Sequence, residues 1–142
     1  KDNIGKKIDK RARKFLRENK LDYAHGTGHG VGFFLNVHEG PQSINKINKV
    51  RIKQGMILSN EPGYYKKNHF GIRIENLVYV CKKNRKLLFK NLTIEPIEKH
   101  LINFYLLTNA EKNYLFKYHL DVYSKISKYL NPNEKKWLAS HI

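Results

Sequence analysis

Three imidazoles fall within fourteen residues, in the run His25-Gly-Thr-Gly-His29-Gly-Val-Gly and then in Asn36-Val-His38-Glu39-Gly40-Pro41. The glycines between them let backbone and ligand approach closely. Two acidic patterns follow, Asn60-Glu61-Pro62-Gly63 and Arg73-Ile74-Glu75-Asn76. A neutral imidazole with two carboxylates, held on ordered turns and strands, is the donor set of a hard-metal hydrolase.

Each of these residues has an ordinary reading when taken alone. Glu75 lies among Ile72, Ile74, Leu77 and Val78, so its carboxylate must meet a cation or hydrogen-bond donors. Arg73, two residues away on the same strand face, can supply that as a simple Arg–Glu pair. Glu61 can cap a backbone amide at a loop edge, His29 can be a turn residue, and His25 and His38 can be core or surface rings. Together the three donor types recur where turns can converge, which the separate readings do not explain. The glycine run is not read as a phosphate cradle. A dinucleotide fingerprint needs a strand before the glycines and a helix after them, and here a helix precedes.

The elements that must position these groups follow from periodicity. Residues 3–19 read as one amphipathic helix with Ile4, Ile8, Ala12, Phe15 and Leu16 on its apolar stripe. Phe33 to Val37 is expected to be a short strand, and Pro41 to Lys53 a polar surface loop. Met56-Ile57-Leu58 reads as a buried strand ending at Glu61-Pro62-Gly63, where Pro62 fixes one dihedral and Gly63 frees the next. Gly71 to Val80 reads as a single strand, Lys82 to Lys86 as a basic hairpin tip, and Leu87 to Leu92 as the returning strand. Beyond Pro96, Thr108-Asn109-Ala110-Glu111 opens a helix with a capping box. Leu115, Tyr118, His119, Val122, Ile126 and Tyr129 carry its apolar rhythm, and Pro132 breaks the chain before a last helix with Trp137 and Leu138.

With 142 residues the chain can bury one modest core. The longest apolar run is far short of about 18 residues, so no membrane span is expected. Cys81 is the one cysteine, which excludes an internal disulfide and fits a reducing compartment. The formal charge is +16, but its lysines are dispersed along the chain rather than gathered into a stripe, so nucleic acid is not the expected partner. A chain opening on Lys1 within a helical pattern reads as a piece of something longer.

From His25 to Pro41, then Asn60-Glu61-Pro62-Gly63-Tyr64-Tyr65 and Phe70-Gly71-Ile72-Arg73-Ile74-Glu75-Asn76, the sequence resembles aminopeptidase P, the X-prolyl aminopeptidase branch of the pita-bread metallopeptidases. The similarity runs on through Leu92-Thr-Ile-Glu-Pro-Ile to the tail with Trp137. The resemblance implies an α+β fold: the C-terminal half of a pita-bread catalytic domain over residues 1–100, a curved antiparallel sheet with flanking helices, and a helical extension over 101–142. It implies metal ligands at His29, Glu61 and Glu75, with Glu75 bridging two divalent ions, manganese in most of the family. It implies that His38 contacts the peptide and moves protons, that His25 lines the proline-side pocket, and that Arg73 stands behind the bridging carboxylate. The reaction implied is removal of the N-terminal residue from peptides with proline second, by a hydroxide bridging the two metals.

The family also uses two aspartates from a preceding hairpin. Asp2, Asp9, Asp22 and Asp121 have no such context, so this chain supplies three of five expected ligands. The expected partners are therefore the N-terminal part of the same enzyme, a peptide substrate and, as in related enzymes, a second copy in a homodimer. A cytoplasmic location is the expectation. The alternative is a catalytically silent pita-bread module that binds nucleic acid or protein, for which the charge is the support.

Overall fold

The N-terminal amphipathic stretch folds as α1 (Gly5–Ala12) and α2 (Lys14–Glu18) in the computed structural model, which describes residues 3–34 and 36–142. The single helix expected over 3–19 is therefore interrupted, at Arg13. Its buried stripe also differs from the apolar one: Gly5, Asp9 and Arg13 are buried at i, i+4 and i+8, while Phe15 is exposed. The guanidinium explains this. Nε of Arg13 donates to both oxygens of Asp9 (2.9 Å each), Nη1 to Asp22 Oδ1 (2.6 Å) and the Tyr23 carbonyl (2.7 Å), and Nη2 to the His25 carbonyl (2.6 Å). The ring of Tyr23 lies 3.8 Å beneath it. A charge leaves water only when paired this completely, so the residues after α2 fold back onto it. Partial burial alone would raise the Asp22 carboxyl pKa, but hydrogen bonds from Arg13 and Lys46 hold it far below the usual carboxylate range.

The chain divides into two compact units, Lys1–Thr93 and Ile94–Ile142, where the sequence reading draws its line at residue 100. In the first unit β1 (Gly28–His29) pairs antiparallel with β2 (Ser43–Ile44). The strands β3 (Ile57–Asn60), β6 (Asn76–Lys83) and β7 (Lys86–Asn91) form an antiparallel sheet in the order β3-β6-β7. A separate hairpin joins β4 (Gly63–Lys66) to β5 (Phe70–Arg73). Mixed helices and antiparallel strands make the fold α+β, as expected. Ile44, Ile52, Leu58, Val78 and Val80 form the core, with Ile8 and Met56 packed against it. Each such aliphatic side chain contributes about 1.5–3 kcal/mol by leaving water. Along β6 the period of two is clean, with Asn76, Val78 and Val80 on the buried face. The β6–β7 turn places Asn84 and Arg85 at φ 50 and 64, the left-handed pair that a two-residue hairpin needs.

Four expectations about this unit are corrected. No strand forms among the described residues of Phe33–Val37, and Leu35 lies outside the described residues. Gly32 N–H bonds the Asn36 carbonyl (2.8 Å) and Glu39 N–H the Gly30 carbonyl (2.9 Å), so the segment doubles back and leaves Phe33 and Phe34 exposed. The stretch from Pro41 to Lys53 is not merely a surface loop, because it delivers Ile44 and Ile52 to the core. The stretch from Gly71 to Val80 is not one strand, since β5 and β6 belong to different sheets and Ile74-Glu75 lies between them. Gly63 also does not use a left-handed φ. It sits against the Tyr65 ring, which would have to shift to admit a Cβ.

In the second unit, α3 (Asn109–Ile126) starts at the expected capping box. Thr108 accepts from Glu111 N–H, and the Glu111 carboxylate accepts from Thr108 N–H at 2.8 Å. Leu115, Tyr118, His119 and Val122 are buried, whereas Tyr129 is exposed. A second box, Asn131 with Glu134, opens α4 (Pro132–Ser140), with Pro132 in its first turn and Leu138 buried. No helix among the described residues is long and apolar enough to cross a membrane.

His119 gives this unit a pH dependence. Its Nε2 accepts from Ile97 N–H at 3.1 Å, so the ring is neutral, and burial, with the Lys99 charge adding to it, pushes its pKa below the usual 6.5. The unfolded chain therefore takes up a proton near pH 6.5, while the folded chain does so only at lower pH. The stabilisation is complete above that value and is lost as pH falls through it toward the folded pKa. Urea midpoints measured between about pH 7 and 5 should fall less steeply in His119→Gln than in wild type. Equal slopes would exclude His119 as the cause.

Candidate metal centre

The strand register explains how the two carboxylates meet. Asn60 of β3 pairs with Asn76 of β6, and Gly63 of β4 pairs with Arg73 of β5. Between these pairs the ladder lapses, leaving Glu61-Pro62 opposite Ile74-Glu75. Pro62 has no N–H to contribute, so the lapse is built into the sequence. Glu61 follows the last residue of β3 and Glu75 precedes the first residue of β6, which sets the two side chains across from one another.

His29 arrives from β1, which lies beside β3. Glu61 N–H donates to the Thr27 carbonyl at 2.7 Å, Val31 N–H to the Ile57 carbonyl at 3.2 Å, and Gly30 bridges Leu58. Gly28 is required here, because a Cβ would collide with the Ser59 carbonyl. One ligating atom each from His29, Glu61 and Glu75 lie within 4.8 Å of one another. His29 Nε2 stands 3.5 Å from Glu61 Oε1. Its Nδ1 faces the Gly30 carbonyl at 2.9 Å, and a carbonyl only accepts, so Nδ1 carries the proton and the Nε2 lone pair points into the cluster.

Arg73 shares this space. Its Nε lies 3.1 Å from Glu75 Oε2 and its Nη1 3.9 Å from Glu61 Oε2. The Arg–Glu pair therefore exists, but with both side chains substantially exposed it is worth at most about 1 kcal/mol. One guanidinium does not balance two carboxylates. The set leaves a negative charge and an imidazole lone pair turned to one point, and these donors fit a divalent ion of the first transition row. Glu75 sits not within a strand but in the gap between two, and it is more exposed than its apolar neighbours suggest.

His38 joins this group, its ring 4.0 Å from that of His29 by centroid, with the residue itself exposed. His25 makes different contacts. Its Nδ1 donates to the Gly26 carbonyl (2.7 Å), leaving Nε2 to accept from the Tyr65 hydroxyl (2.8 Å), and its ring lies 4.9 Å from that of Tyr23. Periodicity did not point to Tyr65, Asp9, Arg13, Thr27 or Ser59. Thr27 donates its hydroxyl to Asp9 (2.7 Å) while its carbonyl holds Glu61, so the Arg13 cluster lies one residue behind the ligand-bearing turn. The available signal was Asp9 and Arg13 at i, i+4 on the stripe of Gly5, and Ser59 two residues before Glu61.

Comparison with known proteins places the chain. A family model described as metallopeptidase family M24 matches residues 1–82, and one for the C-terminal region of peptidase M24 matches residues 86–142. The chain is 44% identical to an uncharacterized peptidase of Schizosaccharomyces pombe, covering 99% of this chain and 25% of that one. It is 45% identical to the Xaa-Pro aminopeptidase 1 of Dictyostelium discoideum, covering 97% and 24%. Among solved structures, the X-prolyl aminopeptidase of Caenorhabditis elegans, described as a cytosolic enzyme with a di-nuclear active site, superimposes with TM-score 0.89 at 37% identity. That match covers 97% of this chain and 24% of the other, and it bears out the pita-bread fold expected from the sequence. The chain spans about a quarter of the length of the curated relatives it matches.

Proposed function

Because this chain belongs to metallopeptidase family M24, we propose that it is the segment of an Xaa-Pro aminopeptidase that provides three metal ligands and the peptide-facing histidines. The observation carrying this reading is the convergence of His29, Glu61 and Glu75 within 4.8 Å. The di-nuclear active site described for the C. elegans enzyme supports two divalent ions, which we take to be manganese and which His29, Glu61 and a bridging Glu75 would help to hold. Such ions supply Lewis acidity, lowering the pKa of water and polarising the scissile carbonyl.

The chain's own residues do the rest. His29 offers Nε2 because Gly30 holds its other nitrogen. Arg73 restrains the Glu75 carboxylate and moderates the repulsion between the two glutamates. His38, exposed against the His29 ring, contacts the peptide and passes a proton at a ring nitrogen. Hydrolysis adds water across the amide, so the leaving proline nitrogen must gain a proton as the C–N bond breaks. His25, fixed by Tyr65, forms an edge of the proline pocket. Two further ligands, aspartates, come from the N-terminal part of the same enzyme, and the assembled protein is a cytoplasmic homodimer that does not bind nucleic acid.

An assay of an Xaa-Pro peptide tests this. The 142-residue chain alone should give no measurable turnover and bind manganese weakly, while the longer protein should be active and lose activity to a chelator. Robust turnover by the chain alone would contradict the proposed division of ligands.

A further inference from the structure

We infer that Ser59 is a positioning residue for the metal centre, its hydroxyl fixing two of the three ligands at once. The inference rests on the metal reading above. Ser59 is completely buried, so its polar atom must be satisfied by protein. It accepts from the His29 backbone N–H at 2.9 Å and donates to Glu61 Oε1 at 2.8 Å. One oxygen atom therefore joins the backbone of the imidazole ligand to the carboxylate of a glutamate ligand. Its direction is forced: the N–H can only donate, so the hydroxyl proton is free for Glu61. With that hydrogen bond to Oε1, the carboxylate cannot rotate freely, and Oε2 is left on the side of Arg73.

The same contact sets the spacing of β1 and β3. Gly28 is pressed so closely on the Ser59 carbonyl that no side chain fits, and the His29 N–H is met by a side chain instead of a ladder carbonyl. Removing the hydroxyl would leave that N–H buried without a partner and free Glu61 to turn. Groups that orient metal ligands in this way typically govern affinity by 10–100-fold.

The test uses the full-length protein stripped of metal and titrated with cobalt(II), read by its visible absorption. Ser59→Ala should bind cobalt about 10–100-fold more weakly and alter the ligand-field bands, while the metal-free protein, somewhat destabilised by the unpaired N–H, still folds by circular dichroism. Ser59→Thr keeps the hydroxyl and should restore affinity to within about threefold. If either variant fails to fold, Ser59→Val, the size of threonine without its hydroxyl, should still lose affinity. Folded Ser59→Ala, or folded Ser59→Val in its place, with affinity within about twofold of wild type overturns the inference, as does a loss that folded Ser59→Thr fails to restore. A wild-type protein that takes up no cobalt overturns the metal reading itself, a result distinct from these.

Discussion

Glu75→Gln in the full-length protein is expected to lower kcat for an Xaa-Pro peptide by about a thousandfold or more, roughly 4 kcal/mol of transition-state stabilisation. The expectation follows from position. The Glu75 carboxylate shares a 4.8 Å cluster with His29 and Glu61, and the amide that replaces it is the same size but carries no charge. Metal content measured on the purified variant should fall with activity. Folding should not suffer, because the side chain is 38% exposed and its pair with Arg73 is weak. The thermal midpoint should therefore stay within a few degrees of wild type. If Glu75 were only an ion-pair partner for Arg73, the rate would change by a few-fold at most and the metal content would hold.

Arg13→Met is expected to have the largest effect on stability. The side chain is completely buried and makes hydrogen bonds to Asp9, Asp22 and the carbonyls of Tyr23 and His25. Met fills similar volume but leaves the Asp9 carboxylate buried with, among the described residues, only the Thr27 hydroxyl to satisfy it. Breaking a buried pair in this way costs about 3–5 kcal/mol. Hydrogen exchange gives a local reading of it. The Glu61 amide, bonded to Thr27, should lose protection by roughly a hundredfold or more. Asp9→Leu with Arg13→Met removes both charges and should recover part of the loss. Unchanged protection in the single variant would show that the cluster does not brace the ligand-bearing turn.

What the sequence conveyed and what it withheld have physical causes. The helix start at Thr108 was readable because its cap is local: the donors and acceptors lie within four residues. The candidate ligands His29, Glu61 and Glu75 could be named through the resemblance to aminopeptidase P, since each of them alone also has an ordinary reading. The place of Glu75 was not readable, because period-two alternation continues across the gap between β5 and β6 although the hydrogen-bond ladder does not. Phe33, Phe34 and Val37 look like a strand by composition, yet strand formation needs a partner edge, and that depends on the whole fold. The Arg13 cluster was hidden for the opposite reason. A charged residue reads as solvent-facing until Asp9, Asp22 and two carbonyls, up to twelve residues away, are seen around it. Ser59 was hidden in the same way, since one of its two partners, the His29 N–H, lies on another strand thirty residues away.

The most direct test of the central claim is a crystal of the full-length protein grown with manganese and measured for anomalous scattering. The account predicts an anomalous peak within bonding distance, about 2.0–2.3 Å, of His29 Nε2, Glu61 and Glu75 together. Manganese peaks found only elsewhere, with that cluster empty at full manganese occupancy, would contradict it.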